Sequence, residues 1–291
     1  MKKFINEKYW VIKDEQPMMK NIDLVDTAYS YDEEQELLNV EDGSWWYIYR
    51  AKVIHGLCKQ YFDKSKEVID IGGGGNGYTT YELQKQDWDV TLLEPSPFAC
   101  KNAKRRGLKE VYCGTIDKKC INDSSIEQAM LLDVLEHVED DLDFLNTIYD
   151  KIEEGGTFLL TVPAYQHLWC SEDDIARHYR RYSLTQLENL ILKTNFNIVY
   201  KNYFMSFLYF PLLVIRVWLE KLKLRKRAEQ QSKKEREEMM NNQFLTPKGI
   251  IGGVLKLLET IEKRRLLKNK KVRFGTSIIV ILEKPKKGQA L

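Results

Sequence analysis

The sequence has no C-x-x-C pair, and its five cysteines, Cys58, Cys100, Cys113, Cys120 and Cys170, are odd in number and scattered. That excludes a disulfide framework and a four-cysteine zinc site and suggests a reducing compartment. An excess of either charge is missing too: 45 Lys and Arg stand against 43 Asp and Glu, so nothing in the whole-molecule field favours nucleic acid. The start, Met1-Lys2-Lys3-Phe4-Ile5-Asn6-Glu7-Lys8, lacks the apolar stretch of a secretory signal, so the protein is expected in the cytoplasm. A run of about 20 apolar residues, the length that spans a bilayer, is also lacking. The nearest approach, Phe204 to Leu219, contains Pro211 and Arg216. No internal repeat is present. What remains is 291 residues, 43% of them hydrophobic, enough to fill a sizeable core.

Residues 1 to about 44 are polar and acidic without sustained period, and read as a loose arm or small helices. From Trp45 to Phe62 the apolar spacing predicts one amphipathic helix, completing an N-terminal segment 1–62. Short apolar runs then alternate with helical patterns, the mark of βαβ units and a parallel sheet. Strands are expected at 67–71, 89–94, 109–113, 127–133, 157–162 and 196–203, with helices near 78–87, 97–107, 139–153 and 184–194. Ser183 and Gln186 have the spacing of a capping box, and Gly155-Gly156 is expected to end a helix. A last strand at 277–282 closes a core of 63–203 and 275–285, with 204–274 inserted. The expected fold is α/β, a doubly wound Rossmann-like sheet.

The strongest chemical feature is Asp70-Ile71-Gly72-Gly73-Gly74-Gly75-Asn76-Gly77, where a strand turns into a helix. Glycines there let a nucleoside ligand approach the backbone, although G-x-G-x-x-G alone is shared by many nucleotide-binding enzymes. Its neighbours discriminate. Asp70 sits where a dinucleotide would lay its pyrophosphate; a carboxylate would repel a diphosphate but suit the ammonium and sulfonium of S-adenosylmethionine. Glu94 ends the second strand, where an acid can accept both ribose hydroxyls. Asp133, at the end of the fourth strand, should share a crevice with Asp70, and two acids imply a cationic ligand.

The ordered set Asp70 to Gly77, Leu93-Glu94-Pro95, Leu132-Asp133-Val134-Leu135-Glu136-His137 and Gly155 to Pro163 resembles the class I S-adenosylmethionine-dependent methyltransferases. It looks most like the subgroup of ubiquinone-biosynthesis O-methyltransferases and related bacterial enzymes. The resemblance implies a mostly parallel sheet with an antiparallel last strand, and S-adenosylmethionine as cofactor. It assigns Asp70, Gly72, Gly73, Gly74 and Gly77 to the methionine end and its turn, and Glu94 to the ribose. Thr115 and Ile116 would meet the adenine, and Asp133 and Val134 the region near the sulfonium. The usual turn is D-x-G-x-G-x-G; this chain has one residue more between Asp70 and Gly77.

A second constellation, Ala164 to Asp174 and then Arg177-His178-Tyr179-Arg180-Arg181-Tyr182, falls on the acceptor side. His178 is a candidate general base, and His137 can serve from the fourth-strand side; each has a structural reading as a hydrogen-bonded loop or helix-start histidine. His167, Cys170, Asp174 and His178 match no standard zinc spacing, so no metal is expected. Arg180 and Arg181 read as an anion-holding pair or as a solvated one. Trp45 and Trp46 read as core. In the family's topology the 204–274 connection emerges at the ligand end, so a helical cap over the acceptor pocket is expected. Its apolar helix, followed by Lys221, Lys223, Arg225, Lys226 and Arg227, is a lid or a face for anionic membrane. The expected reaction is methyl transfer to oxygen, nitrogen or carbon of a small or lipid-linked acceptor. A nicotinamide-dependent oxidoreductase and a noncatalytic protein of the same fold are the alternatives.

Overall fold

The computed structural model of the chain describes residues 2–22, 41–73, 76–221 and 247–288. Its centre is four short parallel strands, β3 (Val68–Ile71), β4 (Val90–Glu94), β5 (Glu110–Cys113) and β6 (Ile126–Leu132). In β3 and β4 every residue is buried, because helices cover both faces of the sheet and leave no solvent side for alternation. β7 (Ile152–Pro163) continues the parallel set, and β9 (Ser277–Glu283) inserts antiparallel between β7 and β8 (Asn197–Phe204). The spatial order is β5-β4-β3-β6-β7-β9-β8, followed outward from β5 by two strands that the sequence did not announce.

Those two, β1 (Trp10–Lys13) and β2 (Gln16–Met19), form an antiparallel hairpin in what was expected to be a loose arm. Met18 pairs with Cys113, and Phe4, Ile5, Trp10 and Met19 are buried. The hairpin covers the sheet's edge, and its short strands carry little periodicity to betray them. A second correction concerns Gly155-Gly156. Helix α4 (Asp141–Lys151) has already ended at Ile152, and the glycines lie within β7, where Gly155 takes φ +77° and donates to the Lys284 carbonyl at 2.7 Å. They bend a strand rather than stop a helix.

The helices start and stop on local chemistry. α1 (Trp45–Tyr61) follows Ser44, and α2 (Tyr78–Gln84) starts from Gly77 in the left-handed conformation. α3 (Pro97–Arg106) is capped by the Ser96 side chain accepting from the Ala99 amide. Beyond the short α5 (Ser171–Ile175), α6 (Leu184–Ile191) has the expected reciprocal Ser183–Gln186 box.

The inserted stretch holds α7 (Ser206–Lys221) and α8 (Gly249–Leu267); residues 222–246, with Lys223, Arg225, Lys226 and Arg227, lie outside the described residues. One side chain fastens it. Glu262 of α8, 3% exposed, accepts from Tyr49 Oη of α1 at 2.5 Å. It also accepts from the Met205 amide at 2.8 Å, the Ser206 amide at 2.6 Å and the Ser206 hydroxyl. A carboxylate thus caps the start of one helix from within another. Glu262→Ala would strand these donors in the interior at about 1–3 kcal/mol each, so urea unfolding should show a loss of at least about 3 kcal/mol. Glu262→Gln, which keeps an acceptor, should lose less.

Candidate active site

The chain winds from β3 through β4 to β5 in one direction and from β6 to β7 in the other, so the order reverses between β3 and β6. Ligands in open α/β sheets bind at such a reversal, beyond the carboxyl ends of the strands. Asp70 and Asp133 leave from these two strands, adjacent as expected: Ile71 is in register with Leu131. Gly72, at φ +67°, donates to the Leu93 carbonyl at 2.7 Å, and a side chain there would come within 3.0 Å of Val134. Gly77 takes φ +65°, where an added Cβ would lie 2.7 Å from Leu108. Gly73 is also close-packed, with Leu92 2.2 Å from where a Cβ would sit. Gly74 and Gly75 lie outside the described residues.

Asp70 is fully buried. Its Oδ2 accepts from Thr80 Oγ1 of α2 at 2.5 Å, while Oδ1 has no hydrogen-bond partner among the described residues. Burial pushes its carboxyl up to about 6, against the opposing pull of the Thr80 hydrogen bond and the Arg50 charge. Asp133 takes φ +55°, an uncommon conformation outside glycine. Its Oδ1 accepts from Thr161 Oγ1 at 3.0 Å and its Oδ2 lies 2.7 Å from Arg50 Nη2. The structure therefore amends the expectation of a purely acidic crevice.

Arg50, on α1, is 5% exposed, and its charge acts on Asp70, Glu136 and Glu41 as well as Asp133. It stacks on Trp46, with its guanidinium carbon 5.1 Å from the ring centroid, and its buried Nε has no partner among the described residues. Sequence reasoning missed it, because one arginine in an amphipathic helix looks like a solvated residue. The available signal was its place on the inner, apolar face beside Tyr49, Val53 and Ile54. Glu41 was missed for a similar reason. It pairs with Arg106 at 2.5 Å and accepts from Asn76 at 3.2 Å, fastening the far end of the glycine turn, and burial raises its carboxyl to about 7.

Glu94 ends β4, buried, with Oε1 accepting from the Ser96 amide at 2.9 Å, so it also orders the start of α3. After β5, Ile116 is buried and Thr115 half-buried. A hollow of about 540 Å³ opens beside Ile116 but touches none of Asp70, Gly72, Glu94 or Asp133.

In the stretch after β7, His178 Nδ1 lies 2.8 Å from Asp173 Oδ1, and Arg181 Nε donates to the same oxygen at 2.7 Å. Burial works against the Asp173 charge, but the His178 and Arg181 contacts overcome it and hold the carboxyl well below the usual range. His178 Nε2 is 4.0 Å from Glu136 Oε1, and its ring meets that of His137 edge-on at 4.6 Å. Burial, then the neighbouring His178, lowers His137 to about 4, which makes it a weak base. Burial and Asp133 push Glu136 well above the normal carboxylate range. Glu136, His137 and His178 are the one group among the described residues whose donor atoms, all within 4.8 Å of one another, could gather a metal ion. His167 sits apart, 3.2 Å from Tyr209 Oη. Arg180 pairs with Asp141 at 2.8 Å and Arg181 with Asp173, so neither is simply solvated.

A family model described as a methyltransferase domain matches residues 46–201, more than half of the chain. The chain belongs to the methyltransferase-domain family. The match holds α1, the glycine turn and the candidate acids, and stops before α7 and α8. The mitochondrial ubiquinone biosynthesis O-methyltransferase of Schizosaccharomyces pombe is 28% identical over 104 residues, 33% of this chain and 37% of that protein. The ubiquinone biosynthesis O-methyltransferase of Rickettsia felis is 26% identical over 132 residues, 42% and 54% of the two chains. This methyltransferase-domain chain thus spans about a third to a half of the curated relatives it matches.

Among solved structures, a chain of the complex between a Haloferax volcanii methyltransferase activator and a methyltransferase superposes with TM-score 0.54 and 15% identity, over 88% of this chain and 95% of that one. A Haemonchus contortus phosphoethanolamine N-methyltransferase in complex with S-adenosyl-L-methionine gives 0.53 and 16%, over 93% and 62%. These likenesses establish the fold. Breaking the Arg50–Asp133 pair from the cationic side leaves buried acids uncompensated, so Arg50→Met should cost about 3 kcal/mol in chemical denaturation. Adding Asp133→Asn should recover part of that loss.

Proposed function

We propose that this protein transfers a methyl group from S-adenosylmethionine to an oxygen, nitrogen or carbon of a small or lipid-linked acceptor. The observation that carries the reading is a pair of buried atoms of opposite kind at the sheet's reversal point, neither with a hydrogen-bond partner among the described residues. Asp70 Oδ1 is an acceptor and Arg50 Nε a donor. An amino-acid group, with an ammonium and a carboxylate, supplies one partner for each. Glu94, one strand away, suits the ribose hydroxyls, Thr115 and Ile116 suit the adenine, and the Gly72–Gly77 turn allows close approach. The family match and the curated methyltransferase relatives support the same chemistry.

The nicotinamide alternative shares the turn and the ribose acid, but Asp70 opposes a pyrophosphate. The noncatalytic alternative would keep cofactor binding without the ordered histidine side. On the methyl-transfer reading the cofactor supplies an electrophilic methyl on a sulfonium that leaves as a neutral thioether. The protein's part is to hold the acceptor in line and keep water out. Asp173 orients His178 through Nδ1, leaving Nε2 to take a proton from an acceptor that needs to lose one. His137, with its lowered pKa, is the weaker candidate. The core assigned to this chemistry is 63–203 with 275–285, preceded by the segment 1–62 and interrupted by the insertion 204–274. The protein is assigned to the cytoplasm, and a lipid-linked acceptor would bring it to the inner face of an anionic membrane.

Calorimetry should show binding of S-adenosylmethionine and S-adenosylhomocysteine and none of NAD or NADP; the reverse result overturns the reading. Asp70 is raised to about 6 in the protein alone, and a cationic partner favours its ionised form. Cofactor affinity should therefore be full above pH 6 and fall as pH drops below it, by up to about tenfold per unit.

Glu94→Ala should weaken cofactor binding by about 1–3 kcal/mol. It should also lower stability slightly, because the Ser96 amide loses its acceptor. Glu94→Gln, which keeps that acceptor, tests the ribose contact by itself in the same titration; an unchanged dissociation constant in both variants would move the ribose elsewhere.

A further inference from the structure

Helix α8 presents an outer face that packs on nothing among the described residues. Ile250 is 88% exposed and Ile251 72%, and Val254, Leu257, Leu258 and Ile261 are also exposed. Their spacing, i, i+1, i+4, i+7, i+8 and i+11, puts all six on one stripe of the helix. The inward side carries buried Glu262 and Leu266, and Gln60 of α1 donates to the Leu267 carbonyl at 2.8 Å. α7 packs against α8 and adds exposed Phe210, Val214 and Ile215. A soluble protein seldom displays so much contiguous aliphatic surface without a use for it.

Charge identifies the partner. Continuing the same stripe by the same spacing leads to Arg265 and Lys268, both exposed, with exposed Arg264 beside them and Lys270, Lys271 and Arg273 just beyond. Between 247 and 273 the two acids are withdrawn: Glu262 is buried and Glu259 half-buried, near Lys52 and Lys256. Among the described residues no helix is long and apolar enough to cross a membrane. An aliphatic stripe that runs into a cationic end without exposed acid is the pattern of a helix lying in the plane of an anionic lipid surface.

We infer that the outer face of α8, with the adjoining part of α7, is a docking surface for an anionic membrane. α7 runs from this face to the acceptor side. Tyr209 is hydrogen-bonded to His167 and packs on Tyr165, which stacks on Tyr203, and Phe210 meets Phe274 at 4.8 Å between centroids. If the methyl-transfer reading holds, on which this consequence rests, the surface brings the site to acceptors embedded in the bilayer. Membrane binding itself does not depend on that reading.

The test is flotation of the full chain with vesicles of phosphatidylglycerol and phosphatidylcholine in equal parts, and with phosphatidylcholine alone. Salt is set at about 0.1 M and about 1 M, between which the screening length falls from about 10 Å to about 3 Å. Binding to the anionic vesicles should be strong at low salt and much reduced at high salt. Lys268→Glu and Arg264→Glu should each weaken partitioning at least about fivefold, the loss expected from removing one basic residue alone at about 1 kcal/mol. Ile251→Ser with Leu257→Ser should abolish it while leaving the melting temperature and cofactor affinity unchanged. Absence of flotation with anionic vesicles at low salt overturns the inference. So does flotation that these variants leave intact. A lowered melting temperature in the serine variant would mean that the protein itself covers the face. A dimer that the variant dissociates would mean that a second copy does; either result overturns the proposal.

Discussion

A single buried cation organises the candidate site. Arg50 enters from α1 between acids that belong to the sheet, pairing with Asp133 and acting on Asp70 and Glu136. Without it, several carboxylates would face one another in a space that water hardly reaches, and such a cluster would be neutralised or would open. With it, the ends of β3 and β6 and the covering helix are held in one arrangement. Asp70 Oδ1 and Arg50 Nε have no hydrogen-bond partner among the described residues, a cost that burial makes substantial.

The acceptor side follows a similar logic on a smaller scale. Asp173 receives both His178 and Arg181, and the compensation keeps it ionised despite burial. Glu136 lies farther from the same ring, 4.0 Å from Nε2, and burial and Asp133 push it toward its neutral form. Two carboxyl groups beside the same imidazole are thus driven in opposite directions by their partners. A protonated Glu136 could donate a hydrogen bond where Asp173 can only accept.

The methyltransferase-domain match ends just before the stretch that distinguishes this chain. α7 and α8 join the core through Glu262, whose carboxylate is shared by Tyr49 and the start of α7. That anchorage uses one side of α8, and among the described residues the aliphatic stripe on the other side is exposed. Family membership covers the glycine turn and the acids of β3, β4 and β6; the stretch between β8 and β9 lies outside that match.

Local signals determined much of this protein without help. The short, mainly apolar runs of β3 and β4 announce strands buried on both faces. The Ser183–Gln186 box opens α6, and Asp70, Glu94 and Asp133 stand at or just beyond the carboxyl ends of β3, β4 and β6. Such features need only neighbours in sequence. The hairpin β1–β2 was hidden because its four-residue strands owe their form to pairing with β5, nearly a hundred residues away. Gly155-Gly156 looked like a helix stop because its true constraint is a hydrogen bond to Lys284. Arg50 gave no sign of its part, since a charge becomes significant only when distant acids are folded around it. Tertiary structure alone decided which charges are compensated, which polar atoms are buried and which apolar side chains are packed away, because desolvation and pairing depend on what surrounds a side chain in space.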